Sequence, residues 1–482
     1  MHGDTARSGY DDAGAVMATL VDVGIDHDDV VEKLAHDGLA TLQTSWAALT
    51  ETLEPTVAAA KCSGGDEDDP MTDPRTFAIV GAGLAGAKAA EALRVEGFDG
   101  RIVLLGAESH RPYERPPLSK GYLQGNADRD SAYVHPAEWY PEHRVELRVD
   151  TTVTEIDRRA HELVIGDGSR LAYDKLLLTT GATPRRLPVP GADLDGVHYL
   201  RDFGDSDRLK AAFRPDAGVV IVGAGWIGLE TAAAARTAGA DVTVLEHAEL
   251  PLLRVLGREM ATVFADLHRD HGVDLRFSVS VSAIQPSAEN PSSAGSVLLA
   301  DGTEIAADVV VVGIGVTPNV ELARSCGLNV DDGILVDSHL VSSDEDILAA
   351  GDVANAYHLL LCRQIRVEHW ANALHQPAVA AKTMLGETAS YDRLPYFFTD
   401  QYDLGMEYTG YTDPDGQDEL VIRGDTTARE FIAFWLKDGR LTAAMNVNIW
   451  DVTEPIRELI RSGAQVDVSR LADPDAPLSP SP

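Results

Sequence analysis

Cysteine is scarce in this chain: Cys62, Cys326 and Cys362 are the three present, none spaced C-x-x-C from another. That spacing excludes a disulfide framework and a cysteine-ligated metal site, and no metal is expected. Lysine is scarce too, with eight among the 40 basic residues, set against 77 acidic ones for a formal charge of −37. A nucleic-acid partner is excluded, because the phosphate backbone meets the same sign of charge and no basic patch interrupts it. No apolar run approaches the roughly 18 residues of a membrane span, and residues 1–12 lack the basic and apolar regions of a signal peptide. The expected setting is the cytoplasm, away from membranes.

What is present is length and apolar content. With 482 residues, 44% of them hydrophobic, the chain can bury several cores and is expected to form three or four domains. Residues 1–70 stand apart. Val30, Val31, Leu34, Leu39, Leu42, Trp46, Leu49 and Leu53 recur at helical intervals, and GDEDDP at 65–70 reads as a charged linker. Residues 10–54 resemble the last helices of bacterial transaldolases, whose Schiff-base lysine lies in a barrel with no counterpart here. Transaldolase activity is not expected, and this helical appendage reads as a fused remnant or as the product of a start codon upstream of Met71.

From Phe77 onward short apolar runs end in glycine-rich turns followed by helical periodicity, the alternation of an α/β fold with parallel strands. Phe77-Ala78-Ile79-Val80 leads into Gly81-Ala82-Gly83-Leu84-Ala85-Gly86, with a helical run at 87–93 behind it. Gly81 permits a tight turn, Gly83 lets a pyrophosphate approach the backbone, and Gly86 allows close helix packing. Glu108 follows the strand at 101–105, 22 residues beyond Gly86, where it can accept a hydrogen bond from a ribose hydroxyl.

The arrangement recurs at 219–222, then Gly223-Ala224-Gly225-Trp226-Ile227-Gly228, with Glu246 placed 18 residues on, after a strand at 241–245. Two cradles imply two dinucleotides. A carboxylate at 246 favours a free 2′-hydroxyl and repels a 2′-phosphate, and no Arg or Lys appears between it and Arg254. NADH is therefore expected over NADPH. Near the C-terminus, 430–436 and 441–447 flank Asp438-Gly439 as a hairpin, with a helix opening at Thr453, so the chain should end in an α+β domain.

Five further segments carry a family resemblance: RPYERPPLSKGYL at 111–123, YDKLLLTTGATPR at 173–185, VVVGIGVTPN at 310–319, ILAAGDVA at 347–354 and RVEHWANALHQ at 366–376. From residue 76 to about 472 the chain resembles FAD-dependent pyridine-nucleotide reductases of the ferredoxin and rubredoxin reductase group, with apoptosis-inducing-factor proteins as more distant relatives. The resemblance implies an FAD-binding domain split into 71–187 and 317–392, a NAD-binding domain at 188–316 inserted in it, and a C-terminal α+β domain at 393–482. Both binding domains would be Rossmann-like.

It also implies roles. Gly351-Asp352 would return the chain to the flavin, with the Asp352 carboxylate just before a helix N-terminus and Gly315 near the nucleotide. Arg115 and Lys120 would line the flavin, Glu230 would face the nicotinamide, and a Lys120–Glu230 pair would orient both rings. Trp370 would lie beside the isoalloxazine, Val153 near the adenine end and Arg201 near the FAD phosphates. The aromatics of PYFFTDQYDLGMEYTGY at 395–411 could cover the flavin edge or form core.

The implied reaction is hydride transfer from NADH to FAD, then single electrons to a [2Fe-2S] ferredoxin or rubredoxin that serves an oxygenase. Lack of paired cysteines excludes a branch that reduces disulfides through a flavin-adjacent dithiol. Two alternatives stay open: an NADH oxidase or diaphorase, and an NADH-sensing flavoprotein resembling apoptosis-inducing factor. Ferredoxins are usually acidic, so docking one would need a local positive face on this acidic body, as a monomer or a homodimer.

Overall fold

A computed structural model describes residues 73–412 and 419–479. The appendage and acidic linker expected at 1–70, with Cys62, lie outside the described residues.

Two parallel sheets of five strands dominate. In the first, Thr76–Val80 sits centrally, flanked by Arg101–Leu105 and Val145–Arg148 on one side and by Lys175–Leu178 and Ile347–Ala349 on the other.

 That last strand, Ile347–Ala349, is the latest in sequence and arrives only after the whole second sheet has been built. The second sheet runs Asp274–Arg276, Asp241–Leu245, Gly218–Val222, Val309–Val312 and Val197–His198. Its insertion explains why the first sheet is discontinuous in sequence. The chain crosses between the two units in Ala182–Pro184 and again in Val316–Pro318, and these two segments pair antiparallel.

The central strands are apolar throughout because both faces of a parallel sheet are covered. Phe77, Ile79, Val219 and Ile221 are each at most 1% exposed. Burying each such side chain stabilises the fold by about 1.5–3 kcal/mol. Each unit also carries a three-stranded antiparallel meander, at 153–172 in the first and 281–306 in the second.

Three helices position the site. Helix α1 (Leu84–Val95) and helix α2 (Trp226–Thr237) follow the two cradles, and both are alanine-rich, which suits helix formation at little side-chain entropy cost. Helix α3 (Trp370–Met384) packs along α1. The remaining domain is a five-stranded antiparallel sheet in the order Tyr396–Gln401, Leu404–Gly410, Arg440–Val447, Glu430–Lys437 and Glu419–Asp425. The expected hairpin is there: Asp438 and Gly439 both adopt positive φ, 52° and 72°, as a two-residue turn between twisted strands requires. The expected helix spans Thr453–Ser462. The fold is therefore α/β with two Rossmann-like units and a C-terminal α+β domain. Among the described residues no helix is long and apolar enough to cross a membrane.

Candidate active site

Both cradles have the same construction. A Cβ on Gly81 would stand 2.1 Å from the Thr179 carbonyl oxygen, and one on Gly223 would stand 2.5 Å from that of Gly313. Gly86 and Gly228 are equally blocked, each 2.1 Å from the carbonyl oxygen of the first glycine in its own cradle. The middle glycines differ: nothing lies within 4 Å of a Cβ built on Gly83 or Gly225. First and third positions are thus closed by packing, while the second faces open space. Gly83 and Gly225 also cap α1 and α2 without any side-chain hydrogen bond, and neither first turn holds an acidic residue. Unpaired backbone N–H groups at the positive end of a helix, beside an open cradle, fit a pyrophosphate.

Thr179 and Gly313, the walls behind the cradles, escaped the sequence reading. They follow Lys175–Leu178 and Val309–Val312, strands that pair with the cradle strands.

Around the first cradle, Gly351 abuts Ala85: a Cβ on Gly351 would lie 3.2 Å from that of Ala85, and its N–H donates to Gln376 Oε1 at 2.7 Å. The Asp352 carboxylate faces Arg201 at 3.4 Å. One expectation is corrected. No α-helix starts at Asp352; Gly351–Val353 is a single 3-10 turn that runs into the strand Ala354–His358. The sequence there returns to strand because Ala354, Asn355 and Ala356 pair with Ile334, Leu335 and Val336.

Glu108 is engaged by Arg115 at 2.5 Å and by the Tyr113 hydroxyl at 2.5 Å. Burial pushes its carboxyl up, but Arg115, Tyr113 and Arg201 outweigh this and leave it below the ordinary range. Arg115 also donates to the Arg201 carbonyl at 2.6 Å. Burial first, then the neighbouring charge of Arg115, lowers the Arg201 guanidinium. Val153 is 7% exposed and opens the first meander, where it belongs to the core of the first unit.

At the second cradle, Glu246 accepts from the Ala224 N–H at 2.7 Å and the Ala248 N–H at 2.8 Å. It is held against the glycine loop. Gly315 has φ 98°, a conformation that favours glycine, and leads directly into the crossing strand Val316–Pro318.

Between the cradles, Lys120 Nζ lies 2.7 Å from Glu230 Oε1, with side-chain exposures of 15% and 3%. Lys120 follows the first unit's short 3-10 turn Pro116–Ser119, and Glu230 projects from α2. Two donors missed in the sequence complete the carboxylate: Ser119 Oγ donates to Oε2 at 2.5 Å and Thr399 Oγ1 donates to Oε1 at 2.6 Å. Lys120 Nζ also stands 5.4 Å from the ring centre of Phe398. Trp370, the first residue of α3, meets that ring edge-on at 6.0 Å and donates from Nε1 to Glu114 Oε2 at 3.2 Å. Burial raises the Glu114 carboxyl, partly offset by that hydrogen bond. Phe397 turns the other way and stacks on Tyr408 at 5.0 Å. The aromatics at 395–411 thus divide between site and core, as alternation along a strand dictates.

The described cysteines, Cys326 and Cys362, are both free. No group of His, Cys, Asp and Glu among the described residues could hold a metal ion.

With this architecture the chain belongs to the pyridine nucleotide-disulphide oxidoreductase family, whose model matches residues 75–376, and a reductase C-terminal model matches 396–481. Among its relatives are rhodocoxin reductase of Rhodococcus erythropolis, 40% identical over 84% of this chain and 93% of that protein, and the anthranilate 1,2-dioxygenase system ferredoxin–NAD(+) reductase component of Burkholderia cepacia, 41% identical over 83% and 98%. The fold matches a crystal structure of the covalent putidaredoxin reductase–putidaredoxin complex with a TM-score of 0.81, at 35% identity over 84% of this chain and 97% of that one.

Proposed function

We infer that the chain is an FAD-dependent NADH:ferredoxin reductase, an oxidoreductase that passes electrons from NADH to a small iron-sulfur carrier serving an oxygenase. The observation that carries this reading is the buried Lys120–Glu230 pair, one residue from each dinucleotide unit, beside Trp370 and with no thiol pair among the described residues. Bound FAD supplies the exchange between a two-electron donor and one-electron acceptors.

The chain's own residues bind and orient. Residues 71–187 with 317–392 form the FAD unit, in which Gly81, Gly83, Ala85 and Gly86 cradle the pyrophosphate and Arg115, Arg201 and Asp352 face the phosphate and ribityl end. Glu108 accepts from the adenosine ribose once its pairing with Arg115 adjusts, and Val153 backs the adenine end. Residues 188–316 form the NAD unit, where Gly223, Gly225 and Gly228 take the second pyrophosphate, Glu246 selects the free 2′-hydroxyl and Gly315 lets the backbone approach the nucleotide. Lys120 holds positive charge beside the flavin, Glu230 orients it and faces the nicotinamide, and Trp370 excludes water next to the flavin ring.

Residues 393–482 supply the carrier side. A cavity of about 730 Å³ opens beside Trp370, lined by Arg393, Arg457 and Arg461 together with the carboxylates Asp392, Glu407 and Glu454. Arg461 pairs with Asp392 at 3.1 Å and Arg457 with Glu454 at 2.9 Å, so the lining is near neutral on a strongly acidic chain, which lowers the repulsion an acidic carrier would meet there. The cytoplasm is the compartment that supplies NADH. The test is NADH-driven cytochrome c reduction with and without a [2Fe-2S] ferredoxin: a large ferredoxin-dependent rate supports the reading, and a rate that ignores ferredoxin overturns it in favour of a diaphorase.

A further inference from the structure

Behind Glu230 runs a buried polar chain whose members belong to neither glycine cradle. Thr399 Oγ1, which donates to Glu230, itself accepts from Gln401 Nε2 at 3.2 Å. Gln401 Oε1 lies 2.9 Å from His268 Nε2, and His268 Nδ1 lies 3.4 Å from the Tyr402 hydroxyl. Thr399, Gln401 and His268 are each at most 1% exposed.

The chain has a direction. Gln401 Oε1 can only accept, so His268 Nε2 carries the hydrogen; its Nδ1 is then the acceptor for Tyr402. Every donor along Tyr402, His268, Gln401 and Thr399 points toward Glu230. The members come from two elements outside the cradles: the first strand of the C-terminal sheet, Tyr396–Gln401, with Tyr402 just beyond it, and the helix Leu253–Asp270. Apolar side chains of the same shape could fill such a space at little cost in stability, whereas a chain of amide and hydroxyl groups specifies one arrangement.

We propose that Thr399, Gln401 and His268 are positioning residues for the NADH half-reaction, which aim the Glu230 carboxylate and through it Lys120, so that the C-terminal sheet sets the geometry of the nicotinamide-facing pair. They act through Glu230, which Thr399 meets at the same oxygen that faces Lys120. The inference rests on the reading of Lys120 and Glu230 given above.

The experiment uses the purified holoprotein in anaerobic stopped flow, following flavin absorbance on mixing with NADH, together with the flavin reduction potential. Thr399→Val keeps the shape and removes the donor. Its limiting rate of flavin reduction is expected to fall about tenfold, with NADH affinity within about twofold and the potential shifted to more negative values. Thr399→Ser should restore both. In a Glu230→Gln background, Thr399→Val should add no further loss, because the residue it acts through has been altered. Should Thr399→Val not retain flavin, Gln401→Met takes its place in the same cycle.

Independent, multiplying losses from Thr399→Val and Glu230→Gln overturn the proposal. So does an unchanged limiting rate per bound flavin, even if thermal stability falls. Failure of NADH to reduce the wild-type flavin would instead overturn the functional reading itself, so the two failures are distinguishable.

Discussion

Lys120 and Glu230 meet at 2.7 Å although one belongs to the first sheet's unit and the other to the helix behind the second cradle. Bringing two sheets onto one ion pair makes their relative position part of the chemistry proposed for this site. Replacing Lys120 by Met leaves a 3% exposed carboxylate without its cation. On the proposed reading of the pair, this loss of an electrostatic partner should lower the limiting rate of flavin reduction on the order of 100-fold. The folded state should also lose about 3–5 kcal/mol. Stopped-flow absorbance and urea titration read the two effects separately.

The glycine cradles predict a contrast between neighbouring positions. Gly83→Ala adds a methyl into open space and should fold with near-native melting while losing flavin. Gly81→Ala forces a methyl against the Thr179 carbonyl at φ 117° and should compromise folding. Gly225→Ala should keep flavin and lose NADH affinity. Flavin content by absorbance and melting by circular dichroism distinguish the three.

On the proposed reading, nucleotide choice rests on Glu246. Glu246→Gln removes the charge that opposes a 2′-phosphate while preserving an acceptor for the Ala224 N–H. The ratio of kcat/KM for NADH over NADPH should fall by about tenfold, equivalent to ~1.4 kcal/mol. An unchanged ratio would assign selection to another residue.

The pH dependence of stability should report His268. Burial above all pushes its imidazole down from 6.5 to about 4, against the opposing effect of its Gln401 hydrogen bond. The unfolded chain takes up a proton near pH 6.5 that the folded chain refuses until about pH 4. Its effect on stability is therefore absent above pH 6.5 and grows as the pH falls, reaching a loss of about 3 kcal/mol near pH 4. His268→Gln should flatten this part of the urea midpoint against pH.

Much of the fold was legible because its signals are local. Apolar runs of four or five residues, glycines at fixed spacing and a carboxylate after the next strand all lie within about 30 residues, the length of one βαβ unit. Asp438-Gly439 announced its hairpin for the same reason. Ser119 and Thr399 were not legible as partners of Glu230, since they reach it from 111 and 169 residues away and hydroxyls carry no pattern of their own. Nor were Thr179 and Gly313, whose carbonyls close the cradles only after strand pairing. At Asp352 the family pattern suggested a helix, and pairing with Ile334–Val336 kept the following segment extended.

The central claim is that electrons leave NADH through this site to an iron-sulfur protein, and the direct measurement is anaerobic double mixing. The flavoprotein is first reduced with NADH, or with NADPH for comparison, and then mixed with oxidised [2Fe-2S] ferredoxin while both chromophores are followed. The account predicts fast reduction by NADH alone and flavin reoxidation in step with ferredoxin reduction, two ferredoxins per NADH as electron balance requires. Reduced flavin that persists in the presence of ferredoxin and reoxidises only when oxygen or a quinone is admitted would contradict it.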